Sequence, residues 1–175
     1  MSNLYILNEE RPKKEVIKEI LNIYADEFDS NLELNDSITI EPLTDDENKF
    51  SFEFLVEGAK LEDVEEILIK IASGNSSFVD FLVFKQDHAP VEKEVNNEND
   101  GNNLLLMIEE TKTSDKESRN TGVYQRLSKF VYADYFYPNV TKYMLYNLDQ
   151  QDDVKKPSST SIFGTNMLLT QNVKV

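Results

Sequence analysis

The stretch Leu104-Leu105-Leu106-Met107-Ile108-Glu109-Glu110-Thr111-Lys112 decides how this chain is read. Five apolar residues stop abruptly at Glu-Glu-Thr-Lys. A run that is apolar on both faces suits a strand in the middle of a sheet. Unpaired charge inside a core is costly, so the charged end belongs at the mouth of that sheet. A second run, Phe78-Val79-Asp80-Phe81-Leu82-Val83-Phe84, has the same character and carries one acid near its start. Side chains two apart in a strand share a face, so Glu110 and Lys112 point one way and Glu109 the other. If residues 78–85 and 103–112 pair as an antiparallel hairpin, Asp80 opposite Glu110 centres the pairing at 95, the middle of the polar connection 86–102. Facing side chains in such a pair lie about 4.5–5.5 Å apart at Cβ, close enough for two carboxylates to hold one divalent ion.

Outward from this hairpin the pattern predicts alternating helices and strands. Residues 12–28 read as a helix, with Pro12 in the first turn and Val16, Ile17, Ile20, Leu21, Ile23 and Tyr24 at helical spacing. Residues 37–42 and 49–56 read as strands around the turn Thr44-Asp45-Asp46-Glu47-Asn48. Leu61, Val64, Leu68 and Ile71 predict a second helix over about 61–73, stopped by Gly74-Asn75-Ser76. After Lys112 a polar loop leads into a helix over 120–136, ended by Pro138. A strand over 142–148, a loop at Pro157-Ser158-Ser159 and a final apolar segment (Ile162, Phe163, Met167, Leu168, Leu169) follow. The expected class is α/β, a mixed sheet flanked by helices, in one domain with its core at about 10–150. Room is left for a partner subunit or a further region.

Composition narrows the chemistry. The chain has 175 residues, 39% hydrophobic, enough for a real core. It has no cysteine and one histidine, His88, which leaves no thiolate site and no histidine-rich zinc site. A metal would sit on carboxylates and carbonyls, which suits magnesium, manganese or calcium. No apolar run approaches membrane-spanning length and no signal-peptide pattern opens the chain, so the expected location is cytoplasmic.

The net charge of −15 is unevenly spread. Residues 1–110 hold 9 basic and 27 acidic side chains, whereas residues 111–145 hold 6 basic and 3 acidic ones. The one cationic segment begins at the Glu-x-Lys strand end, and phosphate contacts need only such a local footprint.

These residues suit metal-dependent hydrolysis of a phosphodiester. Asp80 and Glu110, helped by the backbone carbonyl of Thr111, are the expected ligands of a hard cation, which lowers the pKa of bound water and polarises the phosphate. Lys112 would steady the attacking water or the developing charge. Asp80, Glu110 and Lys112 are thus the candidate catalytic residues. The competing reading is a plain ion pair at a strand end.

With Asp80 near the start of one strand, Glu110-x-Lys112 at the end of the next, then a helix and another strand, the chain resembles the PD-(D/E)xK nuclease superfamily, most closely its type II restriction endonucleases. Val79 stands where the family name has Pro. The resemblance covers roughly residues 10–150. It implies a restriction-endonuclease-like fold, magnesium, double-stranded DNA as substrate and a homodimer or partner subunit.

Arg119, Gln125, Arg126 and Lys129, on and before the helix at 120–136, are the candidate substrate contacts. The alternative function is a non-enzymatic acidic protein that mimics DNA and occupies a nucleic-acid-binding partner, motivated by the −18 over residues 1–110.

Overall fold

The computed structural model of the chain describes residues 2–43, 53–71, 79–90, 103–111, 119–137, 139–146 and 159–175. The class is the expected one, α/β with mixed β-sheet and flanking helices. The chain divides into two compact units. One comprises Met1–Ser77 and Phe81–Leu105, the other Phe78–Asp80 and Leu106–Val175.

The first unit holds β1 (Asn3–Asn8), α1 (Lys14–Phe28), β2 (Leu32–Pro42), β3 (Glu53–Leu61), β4 (Ile67–Ile71) and β5 (Phe81–Gln86). Its strands run in the order β2-β3-β4-β1-β5. β1 is parallel to β4 and antiparallel to β5, and β3 is antiparallel to both β2 and β4. The centre of this unit is the short run Leu4-Tyr5-Ile6-Leu7, buried along its whole length. Ile17, Ile20, Leu21 and Tyr24 form the buried stripe of α1, spaced at three and four residues as an amphipathic helix requires. Each fully buried aliphatic side chain contributes roughly 1.5–3 kcal/mol. Asp29, in the left-handed conformation with its N–H on the Ala25 carbonyl, ends α1.

A polar knot ties three elements of this unit together. Asp63, in the turn after β3, accepts hydrogen bonds from the Tyr24 hydroxyl of α1 (2.7 Å), from the Ser30 hydroxyl just beyond α1, and from the Lys85 ammonium of β5 (2.5 Å). Burial opposes the charge on Asp63, but these three donors outweigh it and hold its carboxyl down at about 2.

β2 lies at the margin of its unit and is interrupted. Leu34 pairs with Ala59 and Thr39 with Glu57, so residues 35–38 bulge against Gly58 alone. Gly58 has φ 81°, and a Cβ there would meet the Ser37 carbonyl oxygen at 2.8 Å. Only glycine fits this crossing. The bulge, Glu33, Asp36 and Pro42 also blunt a long strand edge.

The strand β6 (Leu104–Thr111) continues into the second unit, which adds α2 (Arg119–Phe136), β7 (Thr141–Tyr146), α3 (Ser159–Thr170) and β8 (Val173–Lys174). β6, β7 and β8 are parallel neighbours. Parallel neighbours need a crossover, and α2 and α3 supply one each. The two helices pack on each other, and Phe130, Met144, Leu168 and Val173 form the core beneath them, with Leu127 against it. Asn172, at φ 55°, closes α3 and turns the chain into β8.

Two readings change. The helix expected over about 61–73 is instead the end of β3, a turn at residues 62–63, and β4. Leu61, Val64, Leu68 and Ile71 match helical spacing, but Ile67, Ile69 and Ile71 are β-branched at alternate positions and lie between two partner strands. Pairing on both sides decides such a short apolar run. β1 is a strand the pattern analysis did not assign. The turn at 44–48, the stop at 74–76, Pro138, residues 91–102 of the long connection and the loop after Lys112 lie outside the described residues.

Candidate active site at the end of β6

β6 delivers its carboxylates to two different surroundings. Its register with β7 places Glu109 beside Met144 and Glu110 beside Leu145. Met144 packs under α2 with Phe130, so Glu109 points toward α2 as well. There it is 1% exposed. Lys129 of α2 donates to Glu109 Oε1 at 2.6 Å, and Arg126 Nε lies 3.4 Å from Oε2. The second contact is near enough for an ion pair but too poorly aligned for a hydrogen bond, so Oε2 and the Arg126 Nε–H are left without one. Burial, and next the charge of Asp80, push the Glu109 carboxyl up to about 7 against the pull of the two cations.

Asp80 stands one residue before β5, at a bend. Its Oδ2 accepts the backbone N–H of Glu110 at 2.8 Å. A carboxylate on a strand amide is a charge-assisted bond, and it pins the acid to the end of β6. Glu110 itself is half-buried. The structure thus brings Asp80 and Glu110 together, through side chain to backbone. It also brings Glu109 within Coulombic reach of Asp80.

The other expected residues are placed as follows. Thr111 ends β6, and Arg119 and Gln125 belong to the first two turns of α2. The side chains of these three, and Lys112 entirely, lie outside the described residues. Arg126 and Lys129 are directed at Glu109, with their side chains 25% and 38% exposed. Lys142, counted among the basic residues of the cationic segment, is buried on β7 and paired with Asp134 of α2. Burial lowers its ammonium pKa. His88 is exposed beside Asp87, 2.9 Å away.

Sequence reasoning undervalued Glu109. A signal for it existed: Glu109 shares strand parity with Met107, and Arg126 and Lys129 share a helix face at i and i+3.

No protein-family model, no curated protein and no solved structure matches this chain. The site therefore stands on its own chemistry. Its donors are carboxylate and carbonyl oxygens, which suit a hard cation. Magnesium takes one or two carboxylates and keeps several waters. Among the described residues no three acidic or imidazole groups form a closed cage. Asp80 and Glu110 place two carboxylate-bearing residues at one strand end, the number of carboxylates that such an ion takes.

Proposed function

We propose that this chain is a magnesium-dependent endonuclease that hydrolyses phosphodiester bonds of double-stranded DNA, most like a type II restriction endonuclease. The observation that carries this reading is the bond from the Glu110 amide to Asp80 Oδ2, 2.8 Å, which gathers acids from two segments at one strand end. The order strand, strand, helix, strand (β5, β6, α2, β7) supports it.

Asp80 and Glu110 would hold the ion, with Thr111 offering its carbonyl. When bound, the ion supplies a polarised phosphate and a more acidic water. Asp80 is oriented by the Glu110 amide, which holds its carboxylate at the end of β6. Lys112 would neutralise charge building on the phosphate. Arg119, Gln125, Arg126 and Lys129 would contact the DNA backbone. The charges of Arg126 and Lys129 are shared with Glu109, which draws them toward the end of β6.

The test is incubation of the chain with supercoiled plasmid and magnesium, beside Asp80→Asn, Glu110→Gln and Lys112→Ala. Nicking or linearisation by the parent, abolished by EDTA and lowered at least a hundredfold in each variant, is expected. Equal cleavage in all four removes the site assignment. No cleavage, with tight binding to a DNA-binding protein instead, replaces the nuclease by the acidic mimic.

A further inference from the structure

The carboxylate of Glu109 and the two cations on it are not equally free to part. Glu109 is 1% exposed, enclosed beneath α2. Its partners come from α2 at i and i+3 and reach solvent, with the Arg126 side chain 25% and the Lys129 side chain 38% exposed. The carboxylate is the fixed member, and the long basic side chains are the parts that can turn outward. Lys129 donates a hydrogen bond at 2.6 Å. Arg126 is held to Glu109 by charge, since Nε lies 3.4 Å from Oε2 and neither atom has a hydrogen bond. The cationic segment 111–145 has six basic residues. The three whose side chains are described, Arg126, Lys129 and Lys142, are all engaged with Glu109 or Asp134.

We propose that Glu109 is an internal rival of phosphate: it occupies Arg126 and Lys129 and so weakens the grip of α2 on a nucleic-acid backbone. This role rests on the reading of α2 as the element that meets DNA, and adds a restraint to it. A phosphate that draws either cation away leaves an enclosed carboxylate short of partners, and an enclosed unpaired charge is costly. Each phosphate contact made by these residues therefore gives up part of a contact already made inside the chain. Glu109 contacts no nucleic acid itself and acts as a positioning residue.

The net charge of −15 opposes phosphate too, but differently. Bulk charge repels from every position, whereas Glu109 acts only through the two residues it holds. The consequence is discrimination. Non-specific binding to a duplex is supplied by phosphate contacts, and with these two cations occupied it is suppressed. Lasting association then needs contacts beyond Arg126 and Lys129.

Binding of a labelled DNA duplex of arbitrary sequence, in EDTA at pH 8, tests this without cleavage. Glu109→Gln and Glu109→Met, one isosteric and one apolar of similar length, are compared with the parent. Glu19→Gln, which removes one exposed acid from α1, controls for net charge. Both Glu109 variants, with parent-like circular dichroism, should bind at least tenfold more tightly, and Glu19→Gln less than twofold. Between about 50 and 200 mM salt, log affinity against log salt should steepen by about one to two units in the Glu109 variants, about 0.9 for each phosphate contact regained. Adding Arg126→Gln and Lys129→Met together should abolish the gain. Affinity within twofold of the parent in both Glu109 variants overturns the proposal. So does a gain no larger than that of Glu19→Gln, a gain that survives loss of both cations, or absence of binding throughout. Plasmid cleavage in magnesium is read separately. Cleavage by the parent, with affinity unmoved by Glu109→Gln, keeps the nuclease and removes the restraint. Tighter binding by the Glu109 variants with no cleavage by the parent does the reverse.

Discussion

Lys129 Nζ lies 2.6 Å from Glu109 Oε1, and Glu109 is almost fully enclosed. A buried carboxylate is tolerated only because cations reach it, so the two residues are not equivalent as mutation sites. Lys129→Met leaves an enclosed charge held by Arg126 alone and should destabilise by about 2–4 kcal/mol at pH 8. Glu109→Gln releases an ammonium that already reaches solvent and should cost less. Urea denaturation of both variants at pH 8 checks the order.

The Glu109 carboxyl, raised to about 7 from 4.5, ties stability to pH. A raised folded-state pKa favours folding fully below about pH 4.5, and the benefit is lost as pH rises through 7. The effect is on the order of 3 kcal/mol for a group this enclosed. The parent should therefore be less stable at pH 8.5 than at pH 5.5, and Glu109→Gln should lose this slope. Chemical denaturation across pH 5–9 reads it directly.

Asp80 repels Glu109 while its Oδ2 accepts the Glu110 amide. Asp80→Asn keeps an acceptor and removes the charge. It should stay folded and shift the midpoint of the Glu109 pH dependence downward. Asp80→Ala loses both roles and should cost a further ~1–3 kcal/mol, because the Glu110 amide loses its partner. Melts of the two variants over the same pH range separate charge from hydrogen bonding.

Asp63 behaves oppositely to Glu109. Its carboxyl is held down at about 2 from 3.8, so its contribution is present above pH 3.8 and disappears as pH falls through 2. Asp63→Ala also strands the Tyr24 hydroxyl, whose titration is pushed up by burial and then by Asp63. The variant should be less stable than the parent at pH 6 and match it more closely near pH 2. Acid titration followed by circular dichroism tests this.

Gly58→Ala should destabilise by about 1–3 kcal/mol, since φ 81° and the 2.8 Å approach to the Ser37 carbonyl both reject a Cβ. Gly58→Asn tolerates the dihedral better but meets the same backbone oxygen, and should rescue little. Denaturant midpoints of the two variants compare strain with collision.

The sequence by itself determined the elements whose signals are local. α1, α2 and β6 follow from long apolar patterns with clear ends, and the separation of Glu109 from Glu110 follows from strand parity. Tertiary structure decided what depends on distant partners. β1 is four apolar residues with no period of its own, and it becomes a central strand because β4 and β5 flank it, some 60 to 80 residues away. β4 carries helical spacing and is a strand for the same reason.

At the candidate site, residue types were legible at once, but their assignments to partners were not. Arg126 and Lys129 read as cations for a phosphate until α2 is laid over β6, where burial makes Glu109 their nearest demand. Periodicity reports which face a side chain takes. Only packing reports what waits on that face and how little water is left there.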